Sequence, residues 1–139
     1  MKNSYFQSIE QLNGGQVLDL QEMIGELKFN DQGLIPVITQ DATSKDVLMM
    51  AWMNKQSLEL TLSTGRVTYW SRSREQLWIK GATSGHTQSL VSMRLDCDGD
   101  TVLCLVNQVG PACHTGRANC FYFEVDRTNK SVTVMSSAP

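Results

Sequence analysis

The chain has little that would tie it to nucleic acid or to a membrane. Its 139 residues include 12 lysines and arginines against 14 aspartates and glutamates, whereas nucleic-acid binding needs a concentrated basic surface. No apolar run approaches the ~20 residues that span a bilayer, and the first residues lack the apolar core of a secretion signal. We therefore expect a cytoplasmic protein that binds neither nucleic acid nor membranes.

Histidine is scarce, and this limits the kinds of metal site that the chain can build. There are only two histidines, His86 and His114, and four cysteines. Without an export signal the cysteines are expected to be thiols rather than disulfides. They must then serve as core residues, nucleophiles or metal ligands, and any metal site depends on sulfur and carboxylate.

The length and a hydrophobic content of 41% predict one globular domain over residues 1–139. Residues 1–28 read as an N-terminal extension packed on it, with apolar positions at helical spacing between Val17 and Leu27. No fused second domain is expected after Pro139.

The remaining pattern predicts an α+β fold, a mainly antiparallel twisted sheet with a short helical hairpin. The hairpin is expected from a first helix, capped at Thr43-Ser44 and apolar from Val47 to Met53, and a second that begins at Asn54 and ends at Gly65. Pro36 lacks an N–H, which favours an edge position or an irregular start for its strand. Strands are predicted over 34–39, 67–71, 77–80, 88–95, 101–107, 121–125 and 132–135.

Three aspartates alternate with other residues at Asp96, Asp98 and Asp100. In an extended strand they would line one face, with Cys97 on the other. Clustered carboxylates suit Mg²⁺, whereas a thiolate suits Zn²⁺. The alternative is a polar hairpin turn, since Asp-Gly is a common turn dipeptide.

Two further cysteines, Cys113 and Cys120, are seven residues apart. A continuous helix would separate them by about 10 Å, too far for one ion. The chain must therefore double back, and Gly116 is the flexible residue that allows it. With Cys97 they would leave a fourth zinc position for water. Cys104 lies within an apolar strand and is predicted to be a core residue.

Two loops rich in basic, hydroxyl and glycine residues are candidates for binding an anion. They contain Ser71, Arg72 and Arg74, and then Lys80, Thr83, Ser84 and Gly85. Backbone N–H groups at glycine, together with the cations, can converge on phosphate. Either loop alone is slightly more typical of solvated surface, but two such loops in succession favour phosphate binding.

The aromatic and histidine side chains each allow a structural and a functional interpretation. Trp70 and Trp78 could stack on a heterocycle or simply pack on each other. Trp52 and the nearby methionines are expected to pack in the core. His86 and His114 are candidate bases, His114 more so because it follows a proposed metal ligand.

Taken together these segments resemble the phosphoribosyl-AMP cyclohydrolase family of histidine biosynthesis. The resemblance covers roughly residues 30–121, and Ala82 stands where many relatives carry glutamate. The runs that carry it are Gly33-Leu34-Ile35-Pro36, Val47-Leu48-Met49, Met53-Asn54, Ser71-Arg72-Ser73-Arg74, Leu77-Trp78, Lys80-Gly81, Thr83-Ser84-Gly85, Asp96-Cys97-Asp98-Gly99-Asp100 and Ala112-Cys113-His114-Thr115-Gly116, through to Cys120-Phe121.

The resemblance implies hydrolytic opening of the N1–C6 bond in the adenine ring of 1-(5-phosphoribosyl)-AMP, the third step of L-histidine biosynthesis. It implies an intertwined homodimer with one zinc per subunit, held by Cys113 and Cys120 of one subunit and Cys97 of the other. It also implies Mg²⁺ on Asp96, Asp98 and Asp100. The expected substrate contacts are Trp70, Ser71, Arg72, Arg74, Lys80, Thr83, Ser84 and Gly85.

Two other functions compete with this one. A zinc module whose thiolates only stabilise a small fold would show four ligands and no need of the aspartates. A nucleobase deaminase would need His-x-Glu and Pro-Cys-x-x-Cys, and the chain has neither.

Overall fold

The structure, a computed structural model, describes residues 4–139 and is an α+β fold with few helices. Two short helices precede the sheet, and one longer helix lies between its second strand and a separate hairpin. The elements are α1 (Ser4–Ser8), α2 (Leu20–Glu26), β1 (Ile35–Asp41), β2 (Val47–Met53), α3 (Lys55–Thr64), β3 (Thr68–Ser71), β4 (Gln76–Ile79), β5 (Gln88–Leu95), β6 (Val102–Gln108), β7 (Phe123–Asp126) and β8 (Ser131–Val134).

The main sheet has four strands in the order β2-β1-β6-β5. Its central pair, β1 and β6, is parallel, with Val37 opposite Val102, and both outer pairs are antiparallel. Strands β3 and β4 form one antiparallel hairpin and β7 and β8 another. The expected antiparallel character therefore holds for every described pair except the central one.

The predicted helical hairpin is wrong, because residues 47–53 form strand β2. This segment is a continuous apolar run, and periodicity alone cannot separate a short buried strand from a helix in such a run. Pairing with β1, for example Ile35 with Met53, settles it as a strand. The second half of the prediction is confirmed. Asn54 caps α3 in a reciprocal capping box with Ser57, and Gly65 ends it at φ 75°.

Pro36 does not lie on an edge strand, because β1 has β2 on one side and β6 on the other. It lies opposite Trp52 of β2, while pairing with β6 starts at Val37. The missing N–H of Pro36 thus falls outside the parallel ladder, and the strand begins with one neighbour only.

The core lies between the main sheet, α3 and the β3–β4 hairpin. Ile35, Met53, Leu58 and Tyr69 are fully buried there.

The expected N-terminal helix is confirmed in a shorter form. Ile24 of α2 is buried in this core, whereas Val17 precedes the helix and is 93% exposed. Among residues 4–139 no helix is long and apolar enough to cross a membrane.

Candidate active site

A groove of about 620 Å³ lies between β4, the loop of residues 80–87 (the anion loop) and residues 110–116. It brings together seven of the predicted site residues, from both sides of the groove. Those that line it are Arg74, Lys80, Thr83, Ser84, His86, Cys113 and His114, together with Trp78 and Pro111. We call it the main groove.

Lys80 is tied to the opposite wall of the main groove. Its Nζ donates a hydrogen bond to the carbonyl oxygen of Ala112 at 2.6 Å and lies 5.1 Å from the ring centroid of Trp78. Burial lowers the pKa of Lys80, while the nearby thiols Cys120 and Cys113 act in the opposite direction. Lys80 therefore holds the anion loop against the segment that carries Cys113.

The anion loop depends on Gly81, where the backbone turns back on itself. A side chain there would lie 2.4 Å from the backbone of His86 and Thr87, and φ is +80°. The N–H of Gly85 donates to the carbonyl oxygen of Gly81 at 2.8 Å and closes the turn. Gly85 itself does not line the groove, so its part is to shape the loop.

His86 is held from two sides at the end of this loop. Its imidazole lies against Gly110, where a Cβ atom would come within 2.6 Å of Cδ2. Its carbonyl oxygen accepts a hydrogen bond from Nε2 of Gln108 at 3.3 Å. The second histidine, His114, is exposed on the facing segment, so both imidazoles border one groove.

The chain doubles back at Gly116, as the spacing of the cysteines requires. The N–H of Gly116 donates to the carbonyl oxygen of Cys113 at 3.0 Å, and the N–H of Cys113 donates to the carbonyl oxygen of Arg117 at 3.2 Å. The N–H of Cys120 donates to the carbonyl oxygen of Leu48 in β2 at 2.7 Å. These bonds hold Cys113 and Cys120 close enough for their side chains to interact.

The two thiols ionise unequally. Burial disfavours the thiolate of Cys113, but hydrogen bonds from Thr115 and Cys120 outweigh it and lower the pKa of Cys113; the Thr115 hydroxyl lies 3.1 Å from its sulfur. Burial, together with Cys113, raises the pKa of Cys120 to about 11. The opposite shifts show that the two thiols interact with each other.

Residues 96–100, the acidic turn, do not form the extended segment that the alternation argument assumed. They form the turn between β5 and β6, in agreement with the alternative interpretation. The carboxylate of Asp96 accepts hydrogen bonds from the N–H groups of Asp100 and Thr101, at 2.9 and 3.2 Å. Cys97 in this turn is exposed.

The carboxyl groups of Asp96 and Asp100 lie against each other in this turn. Burial opposes ionisation of Asp96, but hydrogen bonds from Asp100, Thr101 and Gly99 lower its pKa, whereas the contact with Asp96 raises the pKa of Asp100. Within residues 4–139 of a single chain, no three His, Cys, Asp or Glu side chains converge in a way that could hold a metal ion.

Cys104 is a core residue, as expected. It is fully buried in β6, and burial raises the pKa of its thiol to about 12. It therefore remains protonated at neutral pH and takes no part in the site.

Three predicted residues, Trp70, Ser71 and Arg72, lie in a second groove of about 550 Å³. Trp78 lines both this tryptophan groove and the main groove. Trp52 also lines it, half-buried on β2, with the Arg72 guanidinium 4.9 Å from its ring centroid. Sequence reasoning missed this because it placed Trp52 in a core helix.

A family model of phosphoribosyl-AMP cyclohydrolase matches residues 49–122. The chain belongs to this family. It is 55% identical to the phosphoribosyl-AMP cyclohydrolase of Alkalilimnicola ehrlichii over 87% of this chain and 85% of that protein. It is 62% identical to the enzyme of Roseobacter denitrificans over 69% of this chain and 75% of that protein, and 50% identical to that of Alcanivorax borkumensis over 91% and 89%.

Membership of the cyclohydrolase family makes the chain an enzyme, a hydrolase that acts on a cyclic amidine. A zinc module with a purely structural role is thereby set aside. The family match includes β4, the anion loop, the acidic turn and both cysteines of the doubled-back segment, and every residue that lines the main groove lies within it.

Proposed function

We propose that the chain opens the adenine ring of 1-(5-phosphoribosyl)-AMP by hydrolysis of the N1–C6 bond, the third step of L-histidine biosynthesis, in the cytoplasm. The observation that carries the proposal is the main groove. It joins a cationic, glycine-shaped loop to two histidines and a thiol, and each of these groups has a part in the reaction.

The phosphates of the substrate would be held by the two basic loops. Lys80, Thr83 and Ser84 face the main groove with Arg74, while Arg72 and Ser71 face the tryptophan groove. Guanidinium and ammonium groups form charge-assisted hydrogen bonds to phosphate. Because Trp78 lines both grooves, a substrate with phosphates at its two ends would lie across it.

The donor set fits zinc if two copies of the chain combine. Cys113 and Cys120 supply two interacting thiols, and Cys97 is exposed in a turn that does not join them within one chain. Cys97 of a second copy would complete a three-thiolate site. When bound there, zinc would supply the Lewis acidity that makes water a nucleophile near neutral pH.

We assign the proton transfers of the reaction to the two histidines. The oxygen of the attacking water forms a bond to C6, the C6–N1 bond breaks, and N1 takes up the proton that a histidine has accepted from the water. His114 is adjacent to Cys113 and exposed, so it is our first choice to accept the proton from the water, with His86 second. The carboxylates of the acidic turn, two of them in contact, supply the hard oxygen ligands that Mg²⁺ prefers.

A homodimer is supported by the β7–β8 hairpin as well as by the divided cysteines. Its apolar side chains are unusually exposed, with Phe123 at 61% and Val125 at 71%. An isolated two-stranded hairpin is marginally stable in water. We assign a second copy of this chain as its cover, because the hairpin directly follows the segment that carries Cys120.

The first test is turnover of 1-(5-phosphoribosyl)-AMP, followed by ultraviolet absorbance, before and after zinc is removed with a chelator. We expect turnover to disappear with the zinc and to return when zinc is added back. Failure of metal-replete protein to turn over this nucleotide contradicts the proposed function.

The second test asks whether the site is shared between subunits. Cys97→Ala and Cys113→Ala proteins should each be inactive alone. After unfolding and refolding together, mixed dimers regain one intact site, so about a quarter of wild-type activity should return. If the three thiolates came from one chain, mixing would restore nothing.

A further inference from the structure

We propose that Phe6 of the N-terminal segment is a positioning residue for the acidic turn, and that it sets the affinity of the turn for a divalent cation. The inference rests on the proposed function, which assigns this turn to cation binding. It gives a role to a part of the chain that lies outside the family match.

The first observation is the contact between the Phe6 ring and Gly99. Phe6 is 5% exposed, and its Cε2 and Cζ atoms occupy the space where a side chain at Gly99 would project, at 2.2 and 2.3 Å from an ideal Cβ position. Gly99 has φ +70°, so both the backbone and the ring require glycine there. The ring therefore lies directly on the middle of the acidic turn.

A second attachment comes from the other end of the N-terminal segment. The N–H of Lys28, just after α2, donates to the carbonyl oxygen of Gly99 at 2.8 Å. Leu27 beside it is buried in the core that also contains Phe6. Gly99 is thus held by an apolar contact on one side and by a hydrogen bond at its carbonyl group.

These outer contacts complement the bonds within the turn. Asp96 accepts N–H bonds from Asp100 and Thr101, and the N–H of Gly99 donates to the carbonyl oxygen of Asp96 at 3.1 Å. Gly99 stands between Asp98 and Asp100, so its conformation sets the relative directions of their carboxylates. Without the Phe6 ring against it, Gly99 would gain conformational freedom. A bound cation would have to remove this freedom, and the entropy cost would weaken binding.

The test is Mn²⁺ binding to the zinc-loaded full chain, measured from the electron paramagnetic resonance signal of free Mn²⁺. The variant is Phe6→Leu, which keeps an apolar side chain but loses the planar ring. We expect its dissociation constant for Mn²⁺ to rise roughly tenfold, as for other residues that orient metal ligands. Phe6→Ala should raise it further.

The matched control is Leu58→Ala. Leu58 is fully buried, and its helix α3 packs on β2 and β3, away from the acidic turn. Deletion of its side chain costs stability comparable to that lost in Phe6→Ala, yet Mn²⁺ affinity should stay at the wild-type value. Amide hydrogen exchange supplies a second readout: Gly99 and Asp100 should exchange faster in Phe6→Leu but not in Leu58→Ala.

An Asp98→Asn protein separates the two ways in which the inference could fail. If wild-type protein binds no Mn²⁺, or if Asp98→Asn binds it equally well, the cation site of the proposed function fails and the positioning role fails with it. If Asp98→Asn weakens binding while Phe6→Leu matches wild type, the site stands and the role of Phe6 alone is overturned.

Discussion

At the scale of single residues, Lys80 connects the two sides of the main groove and carries its charge close to the cysteine pair. It bonds to the carbonyl oxygen of Ala112 across the main groove, and the thiols of Cys113 and Cys120 lie near its charge. A hydrogen bond from a charged group contributes about 1.5–3 kcal/mol to the stability of the structure that it holds together. We therefore expect Lys80→Met to lower kcat/KM about 10- to 100-fold, measured with 1-(5-phosphoribosyl)-AMP.

Lys55→Met is the matched control, because it removes the same charge from an exposed site. Lys55 only faces Glu59 one helical turn away, at 4.0 Å, and such surface pairs contribute little. Its kcat/KM should equal that of wild type. A Lys80→Met protein with wild-type kcat/KM would show that the cation is not part of the reaction.

The sequence predicts the roles of single residues where their neighbours in the chain are informative, but it does not predict contacts between residues far apart in the chain. Cys104 was predicted to lie in the core because its strand neighbours are apolar, and Gly116 was predicted to reverse the chain because a helix would separate the thiols. The contact of Phe6 with Gly99 left no comparable signal. It joins residues far apart in the chain, and no local pattern encodes such a contact.

At the scale of secondary structure, one buried hydrogen-bonded chain connects several strands with the His86 loop. The Tyr69 hydroxyl of β3 donates to Gln88 Oε1 of β5 and bonds to Thr39 of β1, both at 2.6 Å. Gln88 in turn donates to Gln108 Oε1 at 2.8 Å. Gln108 also holds the carbonyl group of His86, so the core network ends at the main groove.

We expect Tyr69→Phe to lose about 1–3 kcal/mol of unfolding free energy, since it leaves buried polar atoms without a partner. Urea unfolding followed by circular dichroism measures this loss. Tyr122→Phe is the control, because the Tyr122 ring keeps its contact with Arg117 at 3.9 Å. It should stay within about 0.5 kcal/mol of wild type, and equal losses in both variants would contradict the role of the network.

The strands and α3 were predictable where alternation, caps or turns mark them, and β2 was not. Strand β5 was predicted with its observed ends, and Asn54 and Gly65 bound α3 as expected. Residues 47–53 are apolar throughout, so their spacing carries no information that separates helix from strand. Residues 47–53 form a strand because they pair with β1, and that pairing depends on residues outside the segment.

At the scale of the whole molecule, the exposed β7–β8 hairpin makes assembly testable. We expect Val125→Glu to shift the protein from dimer to monomer, because a carboxylate on a covered apolar face stays unpaired. Light scattering after size-exclusion chromatography measures the mass. Zinc content should fall in parallel, since Cys97 of a second copy would no longer reach the pair.

Val17→Glu provides the same chemical change on a side chain that is 93% exposed outside the hairpin. It should leave both mass and zinc content unchanged. A Val125→Glu protein that remains a dimer with full zinc would show that the hairpin is not the interface.

The position of Trp78 between the two grooves has a consequence for ligand size. Any molecule that fills both has to straddle one indole ring, because that ring borders each groove. A mononucleotide with a single anionic arm can settle on one side only and leaves the other side to solvent. If the two basic loops bind phosphate as proposed, the distance between the two phosphates of a ligand decides whether it can occupy both grooves.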